Sequence, residues 1–80
     1  MADVKRLLAL RKTLARRVRS LRKQNGLTQE QLAERTGLAV RHVQKIEACE
    51  VNATLMTLAV LAAALHVTPS LLISPEQDLV

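Results

Sequence analysis

The sequence predicts an all-α protein, a compact five-helix bundle with a helix-turn-helix and a first helix extended at its N-terminal end. Three observations carry that expectation. Apolar residues recur at helical spacing through most of the chain, and no segment alternates apolar and polar residues long enough to build a sheet. Capping residues and glycines cut the periodic stretches into five pieces. The 80 residues suit one small domain, 1–80, with 1–13 as an N-terminal extension and 74–80 as a C-terminal tail.

The elements follow in order. Val4, Leu7, Leu14, Val18 and Leu21 keep helical spacing, with Leu8 and Leu10 added early, and Gly26 after Asn25 supplies a left-handed stop. A first helix therefore spans roughly residues 4–25, in one piece or broken near Thr13, which has the chemistry of an N-cap. Thr28 caps a second helix, Gln31 completes a capping box, and Gly37 ends the helix just after Arg35. A third helix runs from about Ala39 to Glu47 with Val43 and Ile46 inward. Asn52 or Thr54 caps a fourth, from Leu55 to about Leu65, whose core face is Leu55, Leu58, Leu61, Ala62 and Leu65. Thr68-Pro69 opens a short fifth helix to Ile73, with proline at the first helical position.

Composition excludes several classes. With no Phe, Tyr or Trp, the core must be Leu, Val, Ile, Ala and Met. The lack of aromatics also argues against single-stranded nucleic acid, whose bases stack on aromatic rings. One cysteine makes no internal disulfide, and the composition reads as cytoplasmic. The most apolar run, Leu55 to Val67, is shorter than the ~20 residues of a membrane span. Residues 1–15 have no long apolar centre, so no signal peptide is expected. His42, Cys49 and His66 match no zinc spacing, so neither metal nor cofactor is expected. A Cys-His nucleophile needs an oxyanion site and a pocket, and a small aliphatic domain offers little of either. An enzyme is not expected.

The charge is uneven. Residues 1–23 hold nine of the twelve basic residues against Asp3 alone and carry +8. The remainder sets Arg35, Arg41 and Lys45 against six acids and carries −3. A basic segment joined to a mildly acidic remainder suits a polyanion partner, although a solvated helix face has the same pattern.

Two helices joined by a short turn containing glycine make a helix-turn-helix. Ala33 is small where the third helix passes close, and Gly37 supplies positive φ in the turn. With Val43 and Ile46 in the core, Val40, Arg41, Gln44 and Lys45 are left outward. Arg, Gln and Lys carry the donors and acceptors that read base edges in a major groove, and Val40 suits a thymine methyl. A plain helical hairpin in a five-helix core is the competing reading.

The string LARRVRSLRKQNGLTQEQLAERTGLAVRHVQKIE, with NATLMTLAVLAAALHVTPSLL after it, resembles the Cro and repressor-type (XRE-like) helix-turn-helix family from Leu14 to about Ile73. The resemblance implies a five-helix fold and a homodimer on a near-palindromic double-stranded operator. It implies that Gln29 contacts phosphate or orients base-reading side chains, and that Val40, Arg41, Gln44 and Lys45 lie where bases are read. It pairs Arg22 with Glu47, which makes Glu47 structural. Among the cations, Arg16, Arg19, Arg22 and Lys23 suit phosphate where they face the groove, with Arg19, Arg22 and Lys23 the chosen set beside Gln29. Some positions depart from the family. Ala39 stands where Ser or Thr often caps the third helix, which costs ~1 kcal/mol. Cys49 stands where glycine is usual, and if left-handed it carries strain. Ala53 replaces a common proline, and His66 stands where glycine often ends the fourth helix.

One stripe goes beyond that pattern. Met56, Val60 and Ala63 fall at i, i+4 and i+7 on the fourth helix, opposite its core face. A helix apolar nearly all round is buried on two sides. The second side is read as a second copy, with Leu71, Ile73, Leu79 and Val80 able to join. The alternative is that the extension folds back over the stripe through Leu7, Leu8 and Leu10. The expected function is a sequence-specific double-stranded DNA-binding transcriptional regulator acting as a homodimer. The alternative is an antitoxin-type module that binds a toxin or other regulator as well as DNA.

Overall fold

A computed structural model describes residues 4–74 as five helices, with no strand among them. They are α1 (Val4–Gln24), α2 (Gln29–Thr36), α3 (Val40–Glu47), α4 (Leu55–Leu65) and α5 (Pro69–Ile73). The expected Leu79 and Val80 contribution falls outside the described residues.

The first helix is one piece. Thr13 is buried within it and caps nothing. Its end is a Schellman motif: the N–H of Leu27 bonds the carbonyl of Arg22, that of Gly26 bonds Lys23, and Gly26 takes φ +69°. Thr28 Oγ1 accepts from the Gln31 N–H at 3.0 Å, while the Thr28 N–H donates to Gln31 Oε1 at 2.8 Å, completing the box. Gly37 (φ +78°) then closes α2 by donating its N–H to the Ala33 carbonyl. Thr54, rather than Asn52, caps α4 by accepting from the Thr57 N–H.

Leu14, Val18, Leu32, Val43, Ile46, Leu61, Leu65 and Leu72 form one cluster drawn from all five helices. The inner face of α1 lies at its centre, against α3, α4 and α5, and α2 packs on α3 and α4. Leu55 departs from expectation: it is 85% exposed. As the first residue of α4 it lies beyond the first turn that packs on the core, so helical phase alone misplaced it. The fold-back alternative also fails. Because α1 is continuous, Leu7 and Leu10 lie beside Asn52, Ala53, Leu58 and Ile73, in a groove at the start of α4. Met56 stays 76% exposed, Ala63 is exposed, and Val60 is half-buried beside Arg35 and His66.

Candidate nucleic-acid interface

The third helix has two chemically different faces. Val43 and Ile46 are buried. Arg41 and Gln44 are exposed, and Lys45 is half-exposed on the same side. Val40 is less outward than its expected role requires: it is half-buried and packs against the core cluster, leaving only part of its surface for a partner.

Glu47 closes the helix from behind. Its side chain is only 4% exposed. It accepts from Arg22 Nε at 2.7 Å, Arg22 Nη2 at 3.0 Å and Gln29 Nε2 at 3.1 Å. One carboxylate thereby joins α1, α2 and α3. Arg22 also donates Nη1 to the Leu27 carbonyl at 2.8 Å. The hydrogen bond to Glu47 raises the Arg22 pKa above its ordinary value, desolvation opposes that rise, and the charge of Glu47 adds to it. The guanidinium is buried and its three nitrogens are engaged within the fold, so its expected place among the phosphate contacts is corrected to a structural one. Arg19 and Lys23 are exposed on α1. Gln29 is half-buried at the first turn of α2, with one amide hydrogen held by Glu47.

Two arginines have structural roles that were not foreseen. Arg17 is buried and donates to the carbonyls of Leu71 (2.8 Å) and Ser74 (3.0 Å), tying α1 to the end of α5. Its inward position was readable: Leu14, Arg17, Val18 and Leu21 share one helical stripe. Arg11, three residues before Leu14, reaches the Cys49 carbonyl at 3.1 Å. Cys49 has φ +62°, the left-handed conformation anticipated for it. Among the described residues no three His, Cys, Asp or Glu side chains gather to hold a metal, and no helix is long and apolar enough to cross a membrane.

Comparison with known proteins gives the family of the chain. The family model described as helix-turn-helix matches residues 18–72, more than half of the chain. The protein belongs to the helix-turn-helix family. It is similar to the control protein C.SmaI of Serratia marcescens, at 47% identity over 79% of this chain and 76% of that one. It is also similar to the immunity repressor of Bacillus phage phi105, at 36% identity over 80% of this chain, although only 44% of the repressor is spanned. Among solved structures, the hypothetical transcription factor NHTF from Neisseria superposes with a TM-score of 0.82 at 36% identity, covering 86% of this chain and 79% of that one. The restriction-modification controller C.AhdI from Aeromonas hydrophila gives 0.74 at 35% identity, covering 78% and 94%. This helix-turn-helix protein is a DNA-binding transcriptional regulator of the repressor-like type.

Proposed function

We propose that the protein binds a near-palindromic double-stranded operator as a homodimer, with α3 in the major groove. The observation that carries this reading is the division of α3. Its inner face is fixed by Val43, Ile46 and the Glu47 network, while Arg41 and Gln44 are exposed on the opposite side. Arg41 has the fork geometry for guanine and Gln44 the paired donor and acceptor for adenine. Lys45 and the exposed part of Val40 flank them. Arg19 and Lys23 neutralise phosphate, with Gln29 beside them at the start of α2. The two-fold contact runs through Met56, Val60 and Ala63. The role is binding rather than catalysis, and it is exercised in the cytoplasm.

The name of C.AhdI, a restriction-modification controller, favours a more specific assignment, control of restriction-modification genes. Selection of bound duplexes from random DNA tests both levels. Recovery of a two-fold motif supports the operator reading, and its presence upstream of such genes in the source genome supports the assignment. Arg41→Ala and Gln44→Ala should each relax preference at one base position by ~1–3 kcal/mol while the fold persists. Affinity should also fall steeply with salt, with a log–log slope of about −0.9 per neutralised phosphate. Flat affinity across a salt titration overturns the DNA reading. An antitoxin-type role would instead show as one stoichiometric protein retained in a pull-down after nuclease treatment.

A further inference from the structure

The N-terminal half of α1 precedes the segment that matches the family, which begins at residue 18. It nevertheless reaches the end of α3. Three helices here end in the same backbone motif. At α1 the left-handed residue is Gly26, at α4 it is His66, and at α3 it is Cys49. In the α3 case the Glu50 N–H returns to the Lys45 carbonyl at 2.9 Å and the Cys49 N–H to the Ile46 carbonyl at 3.1 Å. A side chain at that position disfavours the left-handed backbone, which is why glycine is usual there. Cys49 has the further support of a cation: Arg11 Nη2 donates to its carbonyl across 38 residues of sequence. A positive charge at the C-terminal end of a helix also complements the helix dipole. Arg11 Nε is buried without an acceptor. The side chain is thus held at this place by the Cys49 carbonyl and its apolar surroundings, not by full satisfaction of its own donors.

We propose that Arg11 is a positioning residue for DNA reading: it clamps the left-handed Cys49 peptide and so fixes the last turn of α3, which carries Gln44 and Lys45. The hydrogen bonds that close the motif are accepted by the Lys45 and Ile46 carbonyls of that turn, so an opened Cys49 loosens the base-reading side chains directly. The extension of α1 thereby supplies by side chain what a glycine supplies by its missing Cβ. This inference rests on the reading that α3 enters the groove.

The test uses the full chain, the duplex selected above, and a scrambled duplex of equal length. Arg11→Met keeps the length and apolar packing of the stem and removes the donor. It should lower the ratio of specific to scrambled affinity about fivefold or more, within the range lost with one misplaced base contact. The salt slope should stay unchanged, since a positioning residue releases no counterion. Hydrogen exchange at the Cys49 and Glu50 amides should accelerate in the free protein. Adding Cys49→Gly to Arg11→Met should restore most of the ratio, and Arg11→Lys, which keeps a donor cation, should lose less than Arg11→Met. An unchanged ratio in the folded variant overturns the proposal. So does a salt slope shallower by about 0.9, which would make Arg11 a phosphate contact. Failure of the glycine to rescue overturns it as well. If the unmodified protein shows no preference between the two duplexes, it is the groove reading itself that has failed.

Discussion

Helices α3 and α4 are both short, and their residues are read with very different success. Every side chain of α3 that matters faces a chemically distinct environment: Val43 and Ile46 inward, Arg41 and Gln44 outward, Glu47 against Arg22 and Gln29. In α4 the contrast is missing. Leu61, Ala62 and Leu65 are buried, while Leu55 and Met56, just as apolar, are exposed. Polar contrast orients a helix; a uniformly apolar helix hides which residues its own chain covers. The excess apolar surface of α4 is therefore what the proposed two-fold contact rests on, whereas the pattern of α3 fixes its place in the fold and supports the proposed groove reading.

The largest expected effects come from breaking the reverse side of α3. Arg22→Ala leaves the Glu47 carboxylate nearly buried without its cation and frees the Leu27 carbonyl, so unfolding free energy should drop by ~3–5 kcal/mol. Glu47→Ala should cost a similar amount. The double variant should lose less than the sum of the two, because neither charge is then left alone. Denaturant melts of the three proteins decide it, and strictly additive losses would show that the 2.7 Å pair contributes no coupling. Ile46→Ala comes next. It empties part of a cluster drawn from all five helices, and a loss of ~2–5 kcal/mol is expected in the same melts. A loss below ~1 kcal/mol would mean that α3 is held mainly by its polar end, which would reverse the roles assigned here to core and network.

These residues also mark what was legible. The five helices, the capping box at Thr28 and the glycine turn at Gly37 follow from local rules, because each depends on a few neighbouring residues, whereas the left-handed Cys49 was flagged only by its departure from the family pattern. The Arg22–Glu47 pair followed from a family resemblance, and its geometry then removed Arg22 from the phosphate contacts. Arg11 and Arg17 were hidden by number: nine cations on one helical stretch look like a solvated face. Only their register with Leu14, Val18 and Leu21 sets two of them apart, and a backbone carbonyl as partner leaves no mark in the sequence. Leu55 failed for the opposite reason, since helical phase is blind to where an element begins to pack.

Val60→Glu sharpens the comparison from the side of α4. Val60 is half-buried and lies between exposed Met56 and Ala63 along the stripe. In a two-fold dimer the substitution acts twice, placing two like charges near the axis. Intramolecular stability should change little, and the protein should sediment as a folded monomer or a much weaker dimer. Affinity for a full operator should then fall toward that for a half-site, because the two α3 helices are no longer held about one DNA turn, ~34 Å, apart. A dimer that persists at micromolar concentration moves the interface elsewhere. Leu7, Leu8 and Leu10 on the extension would be the next residues to substitute, since they remain partly exposed.

The smallest effect concerns the start of α3, and the molecule contains its own controls. Thr28 and Thr54 each accept the backbone N–H three residues on, at 3.0 Å, from an extended backbone with ψ near 166°. Ala39 takes a similar extended conformation (φ −65°, ψ 143°) but offers no side-chain acceptor. The position is exposed, so a hydroxyl meets no steric penalty. Ala39→Ser should therefore let the His42 N–H, now bonded to the Ala39 carbonyl at 3.0 Å, gain a side-chain acceptor as in α2 and α4. The gain should be ~1 kcal/mol, a rise in Tm of about 4–8 °C for a domain of this size. Arg41 and Gln44 keep their places, so base preference should not shift. An unchanged Tm would show that the first turn of α3 takes no stability from its cap and is held by the packing of Val40 and Val43 alone.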